Sequence, residues 1–261
     1  MTIKELQDKA NFIRDEVIRV AVKNKAGHIA PSLSAVDILV TLYYEIMQPY
    51  HIVGKFSEDE YSTDFFVNRD RLVLSKGHGC YALYAILSDL GIIPKDQWEN
   101  FNTPLSELHG CVEYKPEWGL EASTGSLGHG LPMAVGMAYA AKLQGRKYNV
   151  YCIMGDGEMQ EGTTWEAFQF IQCHQLDNIR VIVDSNHLRA LDAVSNDSYY
   201  KFMDRCCNGH DINDLLYYIA RCVFLQADTI KGKGLKCMEG IVKFHYRVPT
   251  QEELAMGVTY K

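Results

Sequence analysis

An α/β fold, a mostly parallel sheet with helices on both faces, is what this sequence predicts. Strand-like and helix-like segments alternate along the chain, as they do when each strand returns through a crossover helix. The two strongest strand segments, Tyr148 to Met154 and Ile179 to Asp184, are near-continuous apolar runs, which marks strands buried on both faces. The length of 261 residues, 47% of them apolar and 23% charged, suits one large domain spanning residues 1–261.

Each element has its own signal. Ile3, Leu6, Ala10, Ile13, Val17, Val20 and Ala21 recur at three- and four-residue steps, so the first 24 residues predict a helix that stops at Gly27. Ser34 to Met47 reads as a second helix ended by Pro49, and the aperiodic polar stretch from Tyr50 to Asn68 as a loop. Arg71 to Ser75 is a short strand entering the turn Gly77-His78-Gly79, and Tyr81 to Leu90 a helix. Residues 92–127 hold three of the seven prolines without periodicity; connections of that length inside a compact domain tend to be functional. Gly128 to Leu143 is small and apolar nearly all round, a helix that packs on most sides. Thr163 to His174 and Ile212 to Arg221 read as helices and Cys222 to Ala227 as a strand.

Composition excludes several functions. Lys+Arg 26 against Asp+Glu 33 gives a charge of -7, the wrong sign for gripping nucleic-acid phosphates. No apolar run approaches the roughly 20 residues that cross a bilayer, and the opening MTIKELQDKANF is charged, unlike a secretory signal. The eight cysteines form no Cys-x-x-Cys pair and several, such as Cys152 and Cys222, sit in apolar runs. Reduced thiols in a cytoplasmic protein are the expectation.

In parallel sheets ligands gather outside the carboxyl ends of the strands. Two polar signals fall there: Gly155-Asp156-Gly157 after one buried strand, and Asp184 to Asn186 after the next. Gly-Asp-Gly alone is a common turn. Here, however, Asp156 offers a carboxylate and Asn186 an amide oxygen from strand ends about 4.8 Å apart, a donor pair that suits Mg²⁺ with diphosphate and water completing its octahedron. The helix after Gly162 aims amide N–H groups toward a bound anion.

GDGEMQEG followed by DSNHL, with the asparagine thirty residues after the aspartate, resembles the thiamine diphosphate motif. AGHIAPSLSAVDIL (26–39), NRDRLVLSKGHG (68–79), EASTGSLGHGLPMAVGMA (121–138), IMGDGEMQEGTTWEA (153–167) and IKGKG (230–234) further resemble, in family order, the N-terminal, diphosphate-binding half of transketolases. The resemblance implies the thiamine diphosphate-binding fold and a set of roles. Asp156, Asn186 and the carbonyl of Leu188 would hold Mg²⁺, with Ca²⁺ or Mn²⁺ as possible substitutes. His78, Gly157 and the loop Gly125-Ser126-Leu127 would contact the cofactor. His28 would line the substrate channel, and His245 would lie near cofactor and substrate. Glu161 matches a glutamate at the interface between active sites. The implied reaction moves a two-carbon ketol unit from a ketose, or its phosphate, to an aldose, with the histidines holding hydroxyls and shuttling protons.

A whole transketolase is more than twice this long, and its second domain binds the cofactor's pyrimidine. The resemblance therefore implies a split enzyme in which a separate C-terminal subunit completes the site, as α₂β₂, with sugar substrates and neither nucleic acid nor membrane as partners. Other readings are a 2-oxo acid dehydrogenase or decarboxylase component, against which KGHG and STGSLGHG speak, and a non-catalytic scaffold. Three departures stand out. The family's Gly-His-Pro before the STG loop is missing, with His109 two residues early and Cys111 at the matching distance. The stretch from Asn186 to Lys231 is short, so that the strand before Gly209-His210-Asp211 is expected to be lost, leaving RCCN. His129 replaces a glutamine and would set another titratable group toward the cofactor. KGKG at 231–234 reads as a phosphate contact or, equally, a solvated turn, and lone histidines such as His174, His187 and His210 as structural.

Overall fold

A computed structural model describes residues 1–47, 68–193 and 201–260. Five strands form one parallel sheet: β1 Arg71–Leu74, β2 Val150–Gly155, β3 Ile179–Ser185, β4 Arg205–Asn208 and β5 Phe224–Asp228, in the order β1-β2-β3-β5-β4. Strand side chains alternate between two separate cores. Leu72, Leu74, Tyr151, Ile153, Ile182 and Leu225 point to one face, where they meet α1 (Ile3–Lys23), α2 (Ile29–Ser34), α3 (Val36–Thr41), α4 (Cys80–Asp89) and, further along the chain, α8 (Ile212–Ile219). Val73, Val150, Cys152, Met154, Val181 and Val183 point to the other, under α6 (Gly130–Leu143) and α7 (Gly162–Cys173). Both faces are thus buried, which is why the strands read as unbroken apolar runs. Two short helices, α5 (Lys95–Glu99) and α9 (Gln251–Leu254), complete the set among the described residues.

The helices obey local chemistry. The Thr2 hydroxyl accepts from the Glu5 amide at 3.2 Å while the Glu5 carboxylate accepts from the Thr2 amide at 2.7 Å, a reciprocal cap on α1. Asp211 caps α8 by accepting from the amides of Asn213 and Asp214 at 2.8 and 3.3 Å.

The second helix departs from expectation. It starts at Ile29, breaks at Ala35 and ends in a π-helical turn over Leu42–Ile46. Pro31 fits because it sits in the first turn, where a missing N–H costs little. The expected loss of the strand before Gly209 is overturned: RCCN is itself β4, pairing in parallel with β5 from Arg205↔Leu225 to Asn208↔Asp228. An edge strand is held by backbone hydrogen bonds and buries only Cys207, so it carries little apolar signature. Of the segment expected as a loop, all but Asn68 lies outside the described residues. All eight cysteines are free.

Candidate functional site

Four strands deliver polar residues to one cavity of about 450 Å³ at the carboxyl edge of the sheet. β1 is followed by Lys76 and His78, β2 by Asp156 to Glu158, β3 by Asn186 to Arg189, and β5 by Lys231. The sheet register explains the convergence, since Gly155 lies opposite Asp184, so Asp156 and Asn186 leave neighbouring strands almost level.

Asp156 is 3% exposed, and its carboxylate accepts from the His187 amide at 2.6 Å. His187 manages this in the left-handed region, at φ 59°, which turns the chain back toward β2 just after Asn186. Burial pushes the Asp156 carboxyl up to about 6, and the nearby Asp184 charge adds to the rise. Among the described residues no lysine or arginine forms a salt bridge to it. The Asn186 side-chain oxygen accepts from the Leu188 amide at 3.2 Å, and the Leu188 carbonyl accepts from the Lys231 ammonium at 3.3 Å. A desolvated carboxylate without a cation, an amide oxygen and a carbonyl already facing positive charge make a hard-oxygen donor set that fits Mg²⁺.

Behind this set lies a network that sequence reasoning did not find. Lys76 and Asp184 form a fully buried ion pair, and Asp184 also accepts from Ser34 at 2.7 Å and from Thr229. Burial alone would raise the Asp184 carboxyl, but Lys76 and these hydroxyls hold it below the usual carboxylate range. Lys231 is 2% exposed and bonds the Arg189 carbonyl and His245 Nδ1, each at 2.9 Å, so KGKG is no solvated turn at its first residue. Burial lowers the Lys231 ammonium to about 8. Glu158 is a second unforeseen residue: its carboxylate accepts from Ser75 Oγ at 2.5 Å and from the amides of Gly128 and Gly155 at 3.0 and 2.9 Å. One buried side chain thereby ties together three loops of the site. Arg189 is a third, its guanidinium donating to Gln160 Oε1 at 2.7 Å and pairing with Asp192, which joins the loops after β2 and β3.

The three histidines expected at the site converge there. His28, His78 and His245 have ring centroids 5.2–5.6 Å apart in pairs. Burial lowers His28 and His245 to about 4 and His78 well below its ordinary value, so all three are neutral at pH 7. Gly125, Leu127, Gly157 and Glu161 also line the cavity, whereas Ser126 is exposed and does not. Gly77 is required where it stands, because a Cβ there would lie 2.6 Å from the Thr124 carbonyl carbon. Glu161 is exposed in the single chain. Cys111 lines the cavity, while His109 turns outward and pairs with Glu113 at 3.4 Å, so the thiol holds the inner position. His129 is also turned away: its Nδ1 lies against the Leu127 carbonyl and Ser126 Oγ, and its exposed ring is absent from the cavity wall.

A parallel sheet with a polar cavity at the carboxyl ends of its strands defines an α/β protein of the class that binds ligands at that edge. The chain belongs to the transketolase family: residues 6–205 match the model of the transketolase thiamine diphosphate binding domain. It is 36% identical over 274 residues to an apulose-4-phosphate transketolase subunit of Phocaeicola vulgatus, covering 97% of this chain and 92% of that one. It is 31% identical to the 6-deoxy-6-sulfo-D-fructose transketolase subunit SqwG of Clostridium sp., over 95% of this chain and 93% of its relative. Human transketolase is 30% identical, and there the match spans 40% of the longer chain. The transketolase structure from Leishmania mexicana superposes with a TM-score of 0.79 at 24% identity, covering 98% of this chain and 40% of its own, a likeness of fold.

Proposed function

We propose that this chain is the diphosphate-binding subunit of a split transketolase and works with thiamine diphosphate and Mg²⁺. The observation that carries the reading is the pairing of Asp156 and Asn186 on neighbouring strand tips, in one cavity with His28, His78 and His245. Asp156, Asn186 and the Leu188 carbonyl hold the ion, and the ion supplies the cation that buried Asp156 lacks. Gly157 and the Gly125 to Leu127 loop admit the diphosphate close to the backbone. Bound there, thiamine diphosphate would supply the carbon nucleophile that transfer of a two-carbon ketol unit from a ketose to an aldose requires.

The protein's own groups do the positioning. The Lys231 ammonium donates to His245 Nδ1, which leaves the His245 proton on Nε2 as a donor. Neutral His28 and His78 each offer one donor and one acceptor, enough to hold sugar hydroxyls and pass a proton between them. Glu161, exposed in the single chain, is suited to meet another protomer. A second polypeptide carrying the pyrimidine-binding domain covers the cavity, in an α₂β₂ assembly; relatives of matching length that are themselves named as transketolase subunits support this arrangement. Eight free cysteines suit the cytoplasm, and among the described residues no helix is long and apolar enough to cross a membrane.

The test is reconstitution. This chain, its partner, Mg²⁺ and thiamine diphosphate are mixed with a ketose phosphate donor and an aldose acceptor. Ketol transfer is expected only when both chains are present. Turnover by this chain alone would reject the split arrangement, and 2-oxo acid decarboxylation in place of ketol transfer would reject the reaction class.

A further inference from the structure

We propose that Asp37 and His210 form a positioning dyad that acts through the Ile230 amide to hold Lys231 in the candidate site. The affinity part of this idea rests on the function proposed above; the geometry does not.

His210 sits in the turn between β4 and α8, outside the cavity, with a side chain 12% exposed. Its Nδ1 lies 2.5 Å from the carboxylate of Asp37 on α3, and its Nε2 lies 2.8 Å from the amide nitrogen of Ile230. An amide N–H can only donate, so Nε2 is the bare nitrogen and the ring proton sits on Nδ1, facing Asp37. The carboxylate therefore fixes both the tautomer and the tilt of the ring, as a second partner does for a metal-bound imidazole. Arg14 of α1 pairs with the same carboxylate and anchors it from behind.

What the dyad grips is the segment that feeds the site. Ile230 lies between Thr229, which donates to Asp184, and Lys231, which bonds the Leu188 and Arg189 carbonyls and His245. Flanking backbone bonds, Thr229 to Ser185 and Gly232 to Ala30, both 3.0 Å, fix the ends of the segment but leave the Ile230 amide to His210. Gly209 makes the approach possible: a Cβ there would fall 2.5 Å from Thr229 Cγ2 and 2.9 Å from the Asp228 carbonyl. If the cluster served stability alone, the Arg14–Asp37 pair would suffice. The bond from His210 to Ile230 instead directs it toward Lys231.

The experiment uses the full chain and three variants. His210→Ala and His210→Phe remove the acceptor, the latter keeping ring volume, while His210→Gln retains an oxygen that can reach the Ile230 amide. Accessibility of Lys231 Nζ in the free chain is read by reductive methylation and mass spectrometry, alongside thermal unfolding and, with the partner subunit present, calorimetric titration with Mg²⁺ and thiamine diphosphate. The Ala and Phe variants are expected to methylate Lys231 about tenfold faster and to bind Mg²⁺–thiamine diphosphate about tenfold more weakly, with Gln within about threefold of the parent on both. Wild-type methylation rates in the Ala and Phe variants would overturn the proposal. So would faster labelling with unchanged affinity, or three variants that all lose protection in step with their melting temperature. A parent chain that binds no Mg²⁺–thiamine diphosphate even with its partner subunit present would sink the proposed function, and the methylation comparison would still decide the dyad.

Discussion

The tips of β2 and β3 carry aspartates one residue out of register, and the protein treats them in opposite ways. Asp184, at the end of β3, is fully buried and matched by Lys76, Ser34 and Thr229, so it stays ionised below the usual carboxylate range despite its burial. Asp156, just past the end of β2, is almost as buried but among the described residues its hydrogen-bond partners are backbone amides, and its carboxyl rises to about 6. One charge is neutralised by the fold. On the function proposed above, the other is left for a bound cation. That difference separates a structural ion pair from a ligand site more clearly than the residue type or its place in the sheet.

Substituting each aspartate should therefore give opposite results. Asp184→Asn strands a buried Lys76 and is expected to cost about 3–5 kcal/mol of folding stability, read by urea unfolding at pH 7.5. Asp156→Asn should instead stabilise the ligand-free chain, because burial of the ionised carboxylate costs roughly 2–3 kcal/mol. The same variant should bind Mg²⁺–thiamine diphosphate more than about 100-fold more weakly. Equal destabilisation by the two variants would erase the contrast.

The pH dependence carries the same opposition. Asp156, raised when folded, favours the folded state below the ordinary carboxylate range, and that contribution is lost as pH rises through about 6. Asp184, lowered when folded, contributes stability above the ordinary range that is lost in acid. Binding of Mg²⁺–thiamine diphosphate near pH 6 should release about half a proton from Asp156, and almost none at pH 8, read by calorimetry in buffers of different ionisation enthalpy. The smallest effect is expected for Arg189→Ala, which frees the loop after β3 from the one after β2. It should weaken cofactor binding by about tenfold without changing the proton release.

The sequence made some of this legible and hid the rest for a physical reason. Buried parallel strands announce themselves as apolar runs, and Asp156 and Asn186 lie one crossover apart, so spacing alone aligns them. Lys76 and Asp184 are 108 residues apart, and Ser34 and Asp184 are 150 apart, so nothing local marks them as partners. Glu158 reads as an ordinary turn glutamate until three loops close around it. β4 escaped for the opposite reason: an edge strand needs a backbone ladder more than an apolar pattern. The choice between His109 and Cys111 turns on side-chain direction, which spacing does not specify.

Crystals of the chain with its partner, grown with thiamine diphosphate and Mn²⁺ in place of Mg²⁺, would test the Asp156–Asn186 pairing by anomalous scattering. The expected map has one strong peak within about 2.3 Å of an Asp156 carboxylate oxygen, the Asn186 side-chain oxygen and the Leu188 carbonyl, with Lys231 moved off that carbonyl. A peak elsewhere, or cofactor bound with Asp156 still lacking a cation, would contradict the account.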